Sequence, residues 1–189
     1  LKGKNAGIIG LGNVGTRVCE ILKNGFGMNV YANDPLLTEE EIKRKGAIPV
    51  GLEELYKISD IISFHCPLVE KTYHMVKEEE FEMMKDGVII VNTSNKDLIE
   101  SKALIKYLKS GKIGGYAEDA IESKQIIKEN PLLRFKNVVI MPHLGRYTYE
   151  TIKKMGEVTV ENLRRIFVEK KLPEYVENPD VVPKIPLTR

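Results

Sequence analysis

Short apolar runs alternate with amphipathic stretches along this chain, and polar residues gather where the runs stop. Gly7-Ile8-Ile9 predicts a buried strand, after which Val14, Val18, Ile21 and Leu22 recur at helical spacing until Gly25 or Gly27 can end the helix. Met28 to Asp34 reads as a second strand. Thr38 to Lys45 reads as a polar helix with Thr38 as its N-cap, and Ala47 to Val50 as an edge strand, where a proline is tolerated. Leu52, Leu55 and Ile58 mark one helical face before a strand from Ile61 to His65, which stops at Cys66-Pro67-Leu68. A helix from about Lys77 to Met84 and the turn Asp86-Gly87 precede Val88 to Val91, the clearest buried parallel strand. Leu98, Leu104, Ile105 and Leu108 mark the next helix, closed by Ser110-Gly111. Ile113 to Ala117 is a weak strand followed by Glu118-Asp119, and Val138 to Met141 is the last strand, ending in Pro142-His143. From about Thr148 a long helix carries Ile152, Met155, Thr159, Leu163, Ile166 and Phe167 and stops before Pro173. Repeated strand-then-helix units predict an α/β fold, a doubly wound parallel sheet with helices on both faces.

The junction of the first strand and helix is Gly10-Leu11-Gly12-Asn13-Val14-Gly15. Gly10 can take the positive φ of a tight turn, Gly12 lets a phosphate approach the backbone, and Gly15 lets the helix lie against the strand. The unpaired N–H groups at the helix start then face an anion. Asp34 ends the second strand about 20 residues further on, where a dinucleotide-binding fold places the acid that accepts from both ribose hydroxyls. Asp34 would repel a 2′-phosphate, and Leu36 and Leu37 offer no offsetting cation, so NAD is expected rather than NADP.

Composition narrows the partners. The chain has 189 residues, 42% hydrophobic and 30% charged, and a formal net charge of +2, so no overall field points to nucleic acid or membrane. Cys19 and Cys66 lack metal-ligand or redox spacing and read as buried thiols in a reducing compartment. Leu1-Lys2-Gly3-Lys4 leads straight into the first strand, which predicts a cytoplasmic protein, and no metal is expected.

In order and spacing, Leu1 to Lys4, Gly10 to Gly15, Asp34-Pro35, His65-Cys66-Pro67-Leu68, Thr72, Asn92-Thr93-Ser94, Asp119 and Pro142-His143 resemble one domain family. It is the nucleotide-binding domain of the D-isomer-specific 2-hydroxyacid dehydrogenases. The resemblance implies a Rossmann-type NAD-binding domain over 1–172. Residues 173–189, around Asn178-Pro179, would then be the tail of a substrate-capping domain otherwise absent from the chain. It also implies cofactor contacts from Gly10, Gly12, Asn13, Val14, Gly15, Asp34, Cys66, Pro67, Thr72, Thr93, Ser94, Asn95, Asp119, His143 and Gly145. A similar enzyme moves hydride between nicotinamide and a 2-oxo acid while a histidine protonates the carbonyl oxygen, and His143 occupies that place. A homodimer is expected from the same resemblance.

Two catalytic positions depart from the family pattern. Its substrate-gripping arginine is Asn95 here, followed by Lys96, and its glutamate falls at Lys124, with Glu122 two residues away. An amide cannot supply a charged fork. Three readings stay open: a dehydrogenase with an altered substrate site in which Lys96 or Arg146 receives the anion, a nucleotide-responsive module without turnover, and an interaction domain with a structural dinucleotide.

Overall fold

A computed structural model describes residues 1–119, 130–173 and 176. The chain divides into two units, Leu1–His143 and Leu144–Arg189.

The first unit is built on a seven-stranded sheet: β1 (Asn5–Ile9), β2 (Asn29–Asn33), β3 (Ile48–Pro49), β4 (Ile61–Phe64), β5 (Val88–Asn92), β6 (Ile113–Glu118) and β7 (Val138–Ile140). All its pairs are parallel, in the order β3-β2-β1-β4-β5-β6-β7. Alternation along β1 feeds two cores. Ile8 packs with Cys19, Val30, Ala32 and Ile42, whereas Ile9 packs with Leu55, Phe64, Phe81 and Leu104. Adjacent residues therefore serve opposite faces, as a doubly wound sheet requires.

The helices are α1 (Asn13–Glu20), α2 (Glu39–Arg44), α3 (Leu52–Ile58), α4 (Glu78–Met83) and α5 (Ser101–Ser110). Thr38 caps α2 in a reciprocal capping box with Glu41, and Pro49 sits on the edge strand, as expected. Beyond Glu20 the helix widens into a π turn, Ile21–Gly25, before Gly27 reverses the chain at φ +65°.

Several expectations are corrected. Val14 and Ile21 are exposed, because Gly15 and Cys19 define the inward face of α1. Leu98 belongs to a separate 3₁₀ turn (Lys96–Leu98), and Ile99 forms a parallel bridge with Val76, so α5 begins only at Ser101. In β5, Val88 and Ile90 are buried but Ile89 is 41% exposed, so that strand is not covered on both faces along its length. β6 runs on through Glu118 rather than stopping at Ala117. The thiols of Cys19 and Cys66 are free and buried.

In the second unit Thr148 caps α6 (Tyr149–Phe167), accepting from Thr151 N–H. Among the described residues no helix is long and apolar enough to cross a membrane. Most of the tail 173–189, with Asn178 and Pro179, lies outside the described residues.

Candidate functional site

The order of strands reverses between β1 and β4: β2 and β4 hydrogen-bond along β1's two edges, and from there the chain continues outward in opposite directions. In open parallel sheets the crevice beyond the carboxyl ends at such a point receives ligands. The glycine turn stands there. Gly10 has φ +90°, and a Cβ on it would lie 2.7 Å from Cys66 N and 2.8 Å from His65 C. A Cβ on Gly15 would lie 2.1 Å from Gly10 O, so α1 can start this close to the turn only without a side chain. A Cβ on Gly12 would meet nothing within 4 Å. That open space over the start of α1, whose first turn carries no acidic side chain, fits a phosphate resting on the backbone.

Asp34 is tied to the same turn. One carboxylate oxygen accepts from Leu11 N–H at 2.8 Å and the other from Leu36 N–H at 3.0 Å. The carboxylate thus braces the glycine loop from the end of β2, a role the spacing argument missed. Asn13 and Val14 open α1 and are exposed.

The loops after β4 and β5 are joined. Ser94 Oγ donates to Cys66 O, and Thr72 Oγ1 donates to Pro67 O at 2.7 Å while accepting from Val69 N–H at 2.8 Å. His65 reaches back to Ser63 through Nε2, 2.9 Å from Oγ, and burial pulls its pKa below the ordinary imidazole value. Burial likewise pushes the Cys66 thiol up, which keeps it protonated and a poor nucleophile. Thr93 is exposed. Fully buried Asn92 shapes this loop, donating through Nδ2 to Asn95 O at 2.8 Å and accepting from Ser94 N–H at 3.0 Å. Asn95 Oδ1 accepts from Asp97 N–H at 2.9 Å and so caps the 3₁₀ turn. The amide oxygen is committed to the backbone, and the nearest cation in sequence is the exposed Lys96.

Asp119 follows β6, its N–H bonded to Asn92 O at 3.1 Å. His143 follows β7, exposed, with φ +56°, a left-handed conformation uncommon outside glycine. Such backbone outliers are frequent at working sites. Lys124 and Glu122 lie outside the described residues. Gly145 and Arg146 belong to the second unit, where the Arg146 guanidinium lies 5.4 Å over the Tyr147 ring. Among the described residues no cluster of His, Cys, Asp and Glu could hold a metal ion.

Gly10, Gly12, Asp34, Cys66, Pro67, Thr93, Ser94, Asn95, Asp119 and His143 therefore all fall at the carboxyl ends of strands of one sheet or in the turns that follow, with Gly15 in the first turn of α1 beside them. Asp34 and His143 are five strands apart, roughly 24 Å at the usual spacing between strands, so a ligand reaching both regions must be extended. Sequence reasoning placed Asn92 and Glu118 at strand ends but gave neither a role; both are buried polar residues at the ends of β5 and β6. The period-two step from Tyr116 to Glu118 was the available signal for the latter.

Comparison with known proteins agrees with this geometry. Residues 1–145 match the family described as D-isomer specific 2-hydroxyacid dehydrogenase, NAD binding domain. The chain is 40% identical over 180 residues to a glyoxylate reductase of Korarchaeum cryptofilum, covering 95% of this chain and 54% of that protein. Its fold matches apo D-lactate dehydrogenase of Escherichia coli with a TM-score of 0.78 at 39% identity, over 87% of this chain and 51% of that one. It also matches D-lactate dehydrogenase from Aquifex aeolicus, a structure complexed with NAD and lactic acid, with a TM-score of 0.76 at 32% identity, over 86% and 53%. The chain spans about half the length of the curated relatives it matches. With a sheet, a glycine turn and an acid at the end of β2 arranged in this way, the chain belongs to the D-isomer-specific 2-hydroxyacid dehydrogenase family and carries its NAD-binding fold.

Proposed function

We propose that the protein is an NAD-dependent oxidoreductase acting between a 2-hydroxy acid and the corresponding 2-oxo acid, with an altered substrate site. The observation that carries this reading is the common edge shared by the glycine turn, Asp34 and His143, an edge long enough for an extended dinucleotide with an acid–base group near one end. Gly12, Asn13 and Val14 would offer backbone N–H groups to the pyrophosphate, while Leu11 N–H stays engaged with Asp34, whose carboxylate would also accept from the ribose. When bound, the nicotinamide supplies or takes up a hydride equivalent. His143 would hold the proton for the carbonyl oxygen in the reducing direction and receive it from the hydroxyl in the other. The loop from Thr93 to Asn95, tied to Cys66 through Ser94, would hold one wall of the site in place.

The substrate end differs from the family pattern. Asn95 presents a neutral amide with its oxygen engaged, so the substrate carboxylate would be received by Lys96 or Arg146. Lysine is a point charge and holds a planar carboxylate less specifically than a bidentate arginine. The same neutral Asn95 favours a second reading, a nucleotide-responsive module without turnover. Oxidation of NADH in the presence of a panel of 2-oxo acids separates the two: turnover with any of them supports the first, and NADH binding without turnover of any supports the second.

We further propose a cytoplasmic homodimer in which 1–172 is the dinucleotide domain and 173–189 the tail of a capping domain. Sedimentation at micromolar concentration should show a dimer, and monomer alone would refute that part.

A further inference from the structure

Among the described residues Glu118 is the only acidic side chain in the core, 5% exposed at the carboxyl end of β6. Its register partners are Asn92 on β5 and Ile140 on β7, each three residues before a candidate catalytic position, Asn95 and His143 respectively. Tyr116, on the same face and 2% exposed, donates its hydroxyl to the Glu118 carboxyl and also lies within hydrogen-bonding reach of the Asn92 side chain. Asn92 in turn holds Ser94 and Asn95. A buried chain of polar groups thus runs from Glu118 to the loop after β5.

Neither use of the site described above requires this carboxyl, and burying it is costly unless it is neutral or paired. The charged groups that act on it, among the described residues, are Lys96 and Asp97 of that loop; β7 contributes only apolar Ile140 in register. Lys96 favours the carboxylate and Asp97 opposes it.

We propose that Glu118 is a positioning residue: uncharged, it holds the Thr93–Asp97 loop through Tyr116 and Asn92 in the form that receives the dinucleotide. Ionised, it places a negative charge under that loop, offsets Lys96 and weakens binding of the anionic dinucleotide. The proposal rests on the reading of this loop as part of the nucleotide site. Burial raises the proton affinity of Glu118, so this ionisation follows, on rising pH, that of the exposed carboxyls and can be distinguished from theirs.

The test is NADH affinity, measured by titration from mildly acidic to mildly alkaline pH, for the unmodified chain, Glu118→Gln and Tyr116→Phe. For the unmodified chain affinity should fall severalfold with rising pH, as the new carboxylate charge opposes the anionic dinucleotide. Glu118→Gln, which keeps an oxygen for the Tyr116 hydroxyl, should hold the acid-limb affinity throughout. Tyr116→Phe cuts the link through which Glu118 holds the loop and removes a hydrogen bond that favours the carboxylate, so it should lower the acid-limb affinity and move the fall to higher pH. A purely structural role would lower affinity equally at every pH. Should Glu118→Gln not fold, Tyr116→Phe decides, and an unmoved profile overturns the proposal. Tight NADH binding with the same profile in all three proteins overturns it alone, whereas no NADH binding by the unmodified chain overturns the nucleotide reading and the proposal with it.

Discussion

Gly15→Ala and Gly12→Ala should fail in different ways, and the difference tests whether the turn is shaped for a ligand or only for packing. At position 15 the new methyl would sit 2.1 Å from Gly10 O and 3.4 Å from Ile8 Cγ2. The first contact is more than an ångström inside the roughly 3.5 Å at which such atoms normally meet. Gly10 cannot retreat, because its N–H is bonded to Asn33 O at 2.9 Å and its φ is +90°. Overpacking of this kind costs about 1–3 kcal/mol, and the better helix propensity of alanine returns at most about 1 kcal/mol. A net loss of about 2 kcal/mol lowers the melting temperature of a domain this size by about 4–8 °C. Gly12 has φ −71° and open space around its missing Cβ, so alanine there costs at most about 1 kcal/mol as a poorer N-cap. Its methyl would nevertheless occupy the place where a phosphate meets the backbone. Denaturant unfolding and NADH titration of both variants give the two readouts. Gly15→Ala should be clearly destabilised, while Gly12→Ala should stay folded and lose at least tenfold in NADH affinity. A Gly12→Ala protein that binds NADH as tightly as the unmodified chain refutes the reasoning.

Asp34→Ala should weaken NAD binding by roughly 1–3 kcal/mol, the cost of losing hydrogen bonds to a charged acceptor, and should also destabilise the fold, since buried Leu11 N–H loses its partner. Asp34→Asn keeps an acceptor oxygen and should recover most of the stability while binding remains weak, which titration and unfolding together would show. His65 is held neutral by burial, so the unfolded state binds more protons as pH falls below the ordinary histidine value. Stability should therefore be complete above that value and decline as pH drops towards the lower pKa of the folded state; His65→Gln should remove this part of the slope in urea unfolding measured against pH. If the altered charges limit turnover, Asn95→Arg combined with Lys124→Glu should raise activity on simple 2-oxo acids, and an unchanged kcat/KM would show that other groups fill both roles.

Local steric and capping requirements were legible in the sequence because they depend on few residues. A glycine at position 15 is demanded by one backbone approach, and the Thr38–Glu41 capping box is closed within four residues. Features set by tertiary neighbours were not. Val14 and Ile21 fit a helical stripe, yet the face of α1 is chosen by where Gly15 meets Gly10 and Cys19 meets the second core. Leu98 fits the period of α5, but Val76 recruits Ile99 into a bridge and breaks the run. Strand ends are as far as the candidate site was legible: the sequence placed candidate residues after β1, β2, β4, β5, β6 and β7. Glu118 reads as a loop acid in sequence and becomes a core carboxyl only because Asn92, Ile140 and Tyr116 surround it.

The central claim is that the turn Gly10–Gly15 with Asp34 forms a site for NAD. Parallel titration of the chain with NADH and NADPH tests it most directly, since the two ligands differ by a single 2′-phosphate, which a ribose bound at Asp34 would bring against the carboxylate. The account predicts saturable NADH binding and markedly weaker binding of NADPH, with Asp34→Ala narrowing the gap; equal affinity for the two, or no binding of either, would contradict it.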